Sequence, residues 1–162
     1  KSVRRVSFWE GYVFLPYIPD PSYILKIELI MISRFGCYGA KMKMIPVQRG
    51  SRSVSLKSIT RVAQPAIADK RQIMIYPEGT RRSPGDVPAY KFGIAHLYFE
   101  LGLPVVPIAH VAGLYWPRRK FMRYPGVIKC RVLPAIAPGL SKEEFLRVLQ
   151  EKTEAVCDEF LI

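Results

Sequence analysis

Short apolar runs alternate with stretches of helical periodicity along this chain, and that alternation constrains its fold more than any other feature. Tyr23–Lys26, Met44–Gln48, Ile73–Tyr76, Val105–Ala109 and Val127–Leu133 read as strands. Glu28–Lys41 is apolar on most sides and predicts a helix that is buried or faces lipid. Leu56, Ile59, Ala63 and Ile67 repeat at helical spacing, with Pro65 expected to kink or split that helix. Lys91–Leu101 predicts a short helix stopped by Gly102. In the last helix, Ser141 and Glu144 make a capping box and Phe145, Leu149, Val156 and Phe160 an apolar stripe. Ser83–Pro88 and Pro134–Leu140 read as loops within one α/β domain spanning 1–162.

Lys and Arg number 25 against 13 acidic residues, a formal charge of +12. That excess favours a polyanionic partner: a phospholipid surface, a nucleic acid or an acidic carrier protein. No apolar run approaches the roughly 20 residues of a spanning helix, and Pro16 and Pro19 break the Tyr12–Ile18 stretch. Cys37, Cys130 and Cys157 are odd in number and lack metal-ligand spacing, so they are expected to be reduced packing residues, as suits a cytoplasmic compartment. The chain begins with Lys1, so it is expected to be processed or a fragment, and no signal peptide is visible in it.

The densest chemistry follows the third strand. Gln72-Ile73-Met74-Ile75-Tyr76 ends in Pro77-Glu78-Gly79-Thr80-Arg81. Pro77 and Gly79 force a turn, so Glu78 and Arg81 emerge at a strand's carboxyl end, where α/β sheets bind ligands. Arg49 likewise sits just beyond a strand. Planar guanidinium forks suit phosphate, which they grip through paired hydrogen bonds. The plainer reading is a solvated strand exit with an internal ion pair.

The Glu78-Gly79-Thr80-Arg81 stretch resembles the EGTR block of the glycerolipid acyltransferase family, which includes the 1-acylglycerol-3-phosphate acyltransferases. Other stretches are similar to its remaining blocks, in the family's order. Ser7-Phe8-Trp9-Glu10 resembles the tail of the first block, and Met44-Ile45-Pro46-Val47-Gln48-Arg49-Gly50 the second. Tyr90-Lys91-Phe92-Gly93 resembles the lysine-glycine element, and Leu103-Pro104-Val105-Val106-Pro107-Ile108 the final strand block. The resemblance implies a mixed, largely parallel central sheet flanked by helices. It also implies acyl transfer from acyl-CoA or acyl carrier protein to lysophosphatidate, giving phosphatidate, with no metal and no other cofactor. Arg49, Arg81 and Lys91 would bind the acceptor's phosphate. Glu78 would orient Arg81, and the Gly79 N–H would serve an oxyanion.

The first block departs from the family. Its histidine, the general base, falls on Arg5, and its aspartate on Glu10. Glu10 keeps a carboxylate, whereas a guanidinium stays protonated and cannot accept a proton. Of the two histidines, His96 lies among apolar neighbours and reads as packing, while His110 follows a strand and is the candidate substitute base. Lys1–Val6 does not resemble the block. The family's upstream membrane-associating segment is therefore expected to be lost or replaced, with a lipid-binding, catalytically impaired member as the alternative reading.

Trp116-Pro117-Arg118-Arg119-Lys120-Phe121-Met122-Arg123-Tyr124 interleaves cations with large apolar residues. Aromatic bodies at headgroup level beside Arg and Lys make an interfacial anchor, so the chain is expected peripherally on the cytoplasmic face of a membrane. Nucleic acid could use the same charges, but that reading gives no reason for the ordered blocks, and no nucleic-acid partner is expected. Oligomeric state is not legible.

Overall fold

The computed structural model describes residues 2–3, 13–31, 33–47, 52–78, 90–117 and 121–161. In chain order the elements are β1 Ser2–Val3, β2 Pro21–Lys26, α1 Ile27–Ile30, α2 Ser33–Lys41, β3 Ile45–Val47, α3 Arg52–Ala68 and β4 Gln72–Met74. There follow α4 Phe92–Leu101, β5 Pro107–His110, α5 Ala112–Tyr115, β6 Cys130–Val132 and α6 Lys142–Leu161. They form two compact units: Ile18–Ile75, and Lys1–Tyr17 with Tyr76–Ile162. The architecture is α/β, and the pairing among the described strands is mixed and mostly parallel.

In Ile18–Ile75 the sheet order is β3-β2-β4, all parallel. Parallel neighbours need a crossover, here supplied by helices, because a tight turn would reverse the chain. Tyr23, Ile45 and Met74 of the sheet are buried, as are Ile59, Ala63 and Ala66 of α3, spaced at helical intervals. The expected Glu28–Lys41 helix is two helices, Ile27–Ile30 and Ser33–Lys41. Among its described residues Gly36 and Gly39 are buried, whereas Met31 and Tyr38 are exposed. Pro65 does not split α3, which runs on to Ala68. It lies in the last turn, where one lost backbone bond interrupts little.

In the other unit β5 is the middle strand, parallel to β1 and antiparallel to β6. All four β5 residues are buried, while the edge strand β6 is exposed throughout. The strand expected over Val127–Leu133 is only Cys130–Val132, although the Leu133 N–H still donates to Pro107 O at 2.9 Å and the Val111 N–H to Lys129 O at 3.4 Å. Sequence reading missed β1, whose Val3 stands beside Ile108. α6 packs Phe145 and Leu149 inward, and Phe145 stacks on Tyr98 of α4 at 3.9 Å and 8°. The Glu144 N–H donates to Ser141 Oγ at 3.1 Å, capping the helix start as predicted. Gly102 ends α4 in the left-handed region, its N–H donating to Tyr98 O. Only Cys157 is a packing cysteine; Cys37 and Cys130 are exposed, contrary to expectation.

Candidate functional site

Parallel pairing points the carboxyl ends of β3, β2 and β4 the same way, the end at which such sheets take ligands. Lys26 is the last residue of β2 and is in register with Val47, the last of β3. Arg49 follows Val47 by two residues in sequence. From sequence, Lys26 was counted only as part of its strand. The available signal was a cation closing an apolar run, Tyr23-Ile24-Leu25-Lys26.

Beyond β4 the chain turns at Pro77 and Glu78, and both are fully buried. A carboxylate removed this far from water is sustained by interactions within the protein, so a solvated strand exit no longer accounts for Glu78. The Lys91 N–H donates to Pro77 O at 2.7 Å, which fastens the start of α4 onto this turn. Lys91 is the N-cap residue of α4, with an extended backbone (φ −83°, ψ 138°), and is exposed. Next to it the Tyr90 hydroxyl donates to Glu154 Oε1 of α6 at 3.0 Å. Glu78 and Lys91 are thus neighbours by way of the Pro77–Lys91 backbone bond. Arg5, Glu10, Arg49, Gly79 and Arg81 lie outside the described residues.

His110 closes β5 and is completely buried. Its Nδ1 accepts the Ala112 N–H at 3.3 Å, its carbonyl oxygen accepts the Cys157 thiol at 3.8 Å, and the Phe14 ring centre is 6.2 Å away. A neutral imidazole accepting at Nδ1 carries its proton on Nε2, so its one acceptor lone pair is already engaged. This geometry ties the ring to the β5–α5 corner and does not prepare it to take a substrate proton. His96 is partly buried, with Nδ1 3.8 Å from Glu100 Oε1.

The basic-aromatic segment divides on inspection. Trp116 is half-buried, and the Arg123 guanidinium lies over its ring at 4.7 Å. Phe121 is 101% exposed, Met122 62% and Tyr124 50%. Arg118, Arg119 and Lys120 lie outside the described residues. Among the described residues no cluster of three His, Cys, Asp or Glu side chains is placed to hold a metal ion. No described helix is long and apolar enough to cross a membrane.

Residues 11–111 match the family model described as Acyltransferase. The chain is 31% identical over 152 residues to 1-acyl-sn-glycerol-3-phosphate acyltransferase of Pseudomonas aeruginosa, covering 94% of this chain and 59% of that protein. It is 26% identical over 155 residues to the enzyme of the same name from Cocos nucifera, covering 94% of this chain and 50% of the relative. The crystal structure of the 1-acyl-sn-glycerophosphate (LPA) acyltransferase from Thermotoga maritima superposes with a TM-score of 0.80 at 21% identity, covering 98% of this chain and 64% of that one. The chain therefore spans a little over half the length of these curated relatives.

Proposed function

The chain belongs to the Acyltransferase family, and from that premise we propose that it acylates the free hydroxyl of 1-acylglycerol-3-phosphate, giving phosphatidate. The donor is the thioester of coenzyme A or of acyl carrier protein. The acceptor oxygen attacks the thioester carbonyl, a C–O bond forms, and the C–S bond breaks. The hydroxyl proton leaves to a base, and the thiolate departs. Arg49 and Arg81 grip the acceptor phosphate, with Lys26 and Lys91 adding positive charge. Glu78 orients Arg81, and the Gly79 N–H meets the oxyanion as it develops. Metal and redox cofactors have no part in the proposal.

The observation that supports this reading most is the β3-β2-β4 register. It points three parallel strands, two of them followed by the arginine-bearing stretches, toward one end of the sheet. Arg5 favours a second reading, a family member that binds lysophospholipid and turns over little. The guanidinium at the base position cannot accept the hydroxyl proton, and losing a general base costs about two to four orders of magnitude in rate. Glu10 keeps a carboxylate at the block's aspartate position, the residue type that would orient a histidine introduced at position 5.

The test is transfer of a labelled acyl group from thioester to lysophosphatidate in anionic vesicles, comparing the chain with Arg5→His. We expect the variant to be faster by about two orders of magnitude or more. Comparable activity in both would mean that another group removes the proton. Two inactive proteins, each shown to be folded, would sink the acyl-transfer reading for this chain and leave lipid binding.

A further inference from the structure

We propose that Phe121 and Met122 form the tip of a membrane-docking loop that enters the headgroup region of an anionic bilayer, with Arg123 holding the tip's backbone. The proposal goes beyond acyl transfer and does not require turnover.

A fully exposed phenylalanine beside an exposed methionine is poorly placed in water, and Tyr124 and Val127 (77% exposed) extend the same apolar stretch. The loop is nevertheless built. The Tyr124 N–H donates to Tyr115 O at 2.9 Å. Gly126 comes so close to the Tyr115 ring that any Cβ there would collide with it. Arg123 makes the most telling contacts: one guanidinium nitrogen donates to Phe121 O and to Met122 O, each at 3.1 Å, while the group lies over the Trp116 ring. An apolar tip entering lipid is penalised for each carbonyl it strips of water. Here both tip carbonyls bring their donor with them. The same guanidinium supplies positive charge beneath the tip, at the depth of lipid phosphates.

Charge selects the partner. Arg118-Arg119-Lys120 immediately precede the tip in sequence, exposed Lys129 follows it, and the chain carries +12 overall. Each basic residue near an anionic leaflet strengthens binding. Nucleic acid fits less well, because the flat indole on which a base would stack is already covered by Arg123. A second copy of the chain would need a far larger apolar area than one short loop offers.

The experiment is co-sedimentation with mixed phosphatidylcholine–phosphatidylglycerol vesicles, without acyl donor. The chain is compared with the double variant Phe121→Ser/Met122→Ser, with Arg123→Ala, and with Val132→Ser and Lys129→Ala as controls. We expect the double variant to partition about tenfold less, the loss of a large apolar contact. Arg123→Ala should fall well below Lys129→Ala, and Val132→Ser should match the parent. Parent-like binding by the double variant would overturn the proposal, as would equal losses in Arg123→Ala and Lys129→Ala. So would oligonucleotide retention at physiological salt that the double variant abolishes, or a dimer in light scattering that it dissolves. Phe121 is fully exposed, so an unchanged melting temperature is expected and rules out misfolding as the cause.

Discussion

Arg71 shows how much one side chain can organise without any sequence signal. Its side chain is only 4% exposed and pairs with both carboxylate oxygens of Asp20, at 2.8 and 2.7 Å. It also donates to Ser22 Oγ and to the carbonyls of Pro21, Met42 and Lys43. These partners come from the chain entering β2 and β3, and Arg71 itself precedes β4, so one guanidinium pins the amino ends of three parallel strands. Only a planar fork with five donors can do this, so Arg71→Lys should cost nearly as much as Arg71→Met. Each orphaned carbonyl costs about 1–3 kcal/mol, and we expect a total loss of about 3 kcal/mol or more in denaturant unfolding. In sequence, Lys70-Arg71 looks like any solvated pair; burial by three separate loops is a tertiary fact with no local pattern. The arginine's hydrogen bond holds the Asp20 carboxyl below its ordinary value of 3.8. Stability from that contact is whole above 3.8 and drains away as pH falls through the lowered value, where Asp20 takes a proton. The stability difference between the parent and Asp20→Asn should therefore shrink to nothing at the acid end. A difference that persists there would refute the assignment.

Among the elements, the two helices that feed β3 and β4 end alike. At the end of α2 the Met44 N–H donates to Gly39 O and the Lys43 N–H to Ala40 O. At the end of α3 the Arg71 N–H donates to Ala66 O and the Lys70 N–H to Ile67 O. This is the paired-bond helix ending whose turning residue must be left-handed, and here lysines occupy it, at φ 48° and 56°. A side chain in that region costs roughly 1–2 kcal/mol, which glycine avoids while losing some of the gain to a freer unfolded chain. Lys70→Gly should raise stability by about 0.5 kcal/mol in urea unfolding; a decrease would show that the Lys70 stem contributes more than its strain. Lys43→Gly is the poorer choice, since Lys43 Nζ pairs with Asp69 at 3.0 Å. Periodicity located both helices but not these endings, because lysine is a weak stop signal. The same limit hid β1. Two residues, Ser2 and Val3, carry no pattern, and they become a strand only because β5 offers a parallel edge. Glu78, by contrast, was legible: a carboxylate after an apolar strand, set by Pro77 into a turn, is where sequence placed it, and its burial adds what sequence could not.

Taken as a whole, the chain carries most of its positive excess in the segments between its helices and strands, from Lys1 to Lys129, whereas the exposed apolar tip is a single loop. Charge and apolar contact should therefore act on membrane association as separable contributions. Electrostatic attraction between solvated charges and a lipid surface decays over about 8 Å at physiological ionic strength and about 3 Å near 1 M salt. Insertion of Phe121 and Met122 depends on apolar burial, which salt does not screen. Raising salt should accordingly release most of the bound chain from anionic vesicles and leave a remainder that is lost in Phe121→Ser/Met122→Ser. Across the salt series, that double variant should lower the binding curve without changing its slope, because it removes no charge. Lys129→Ala should do the reverse and flatten the slope. A double variant whose slope collapses with its affinity would mean that the tip orders the basic residues beside it. The loop would then act as one electrostatic unit, and charge and apolar contact would not be separable.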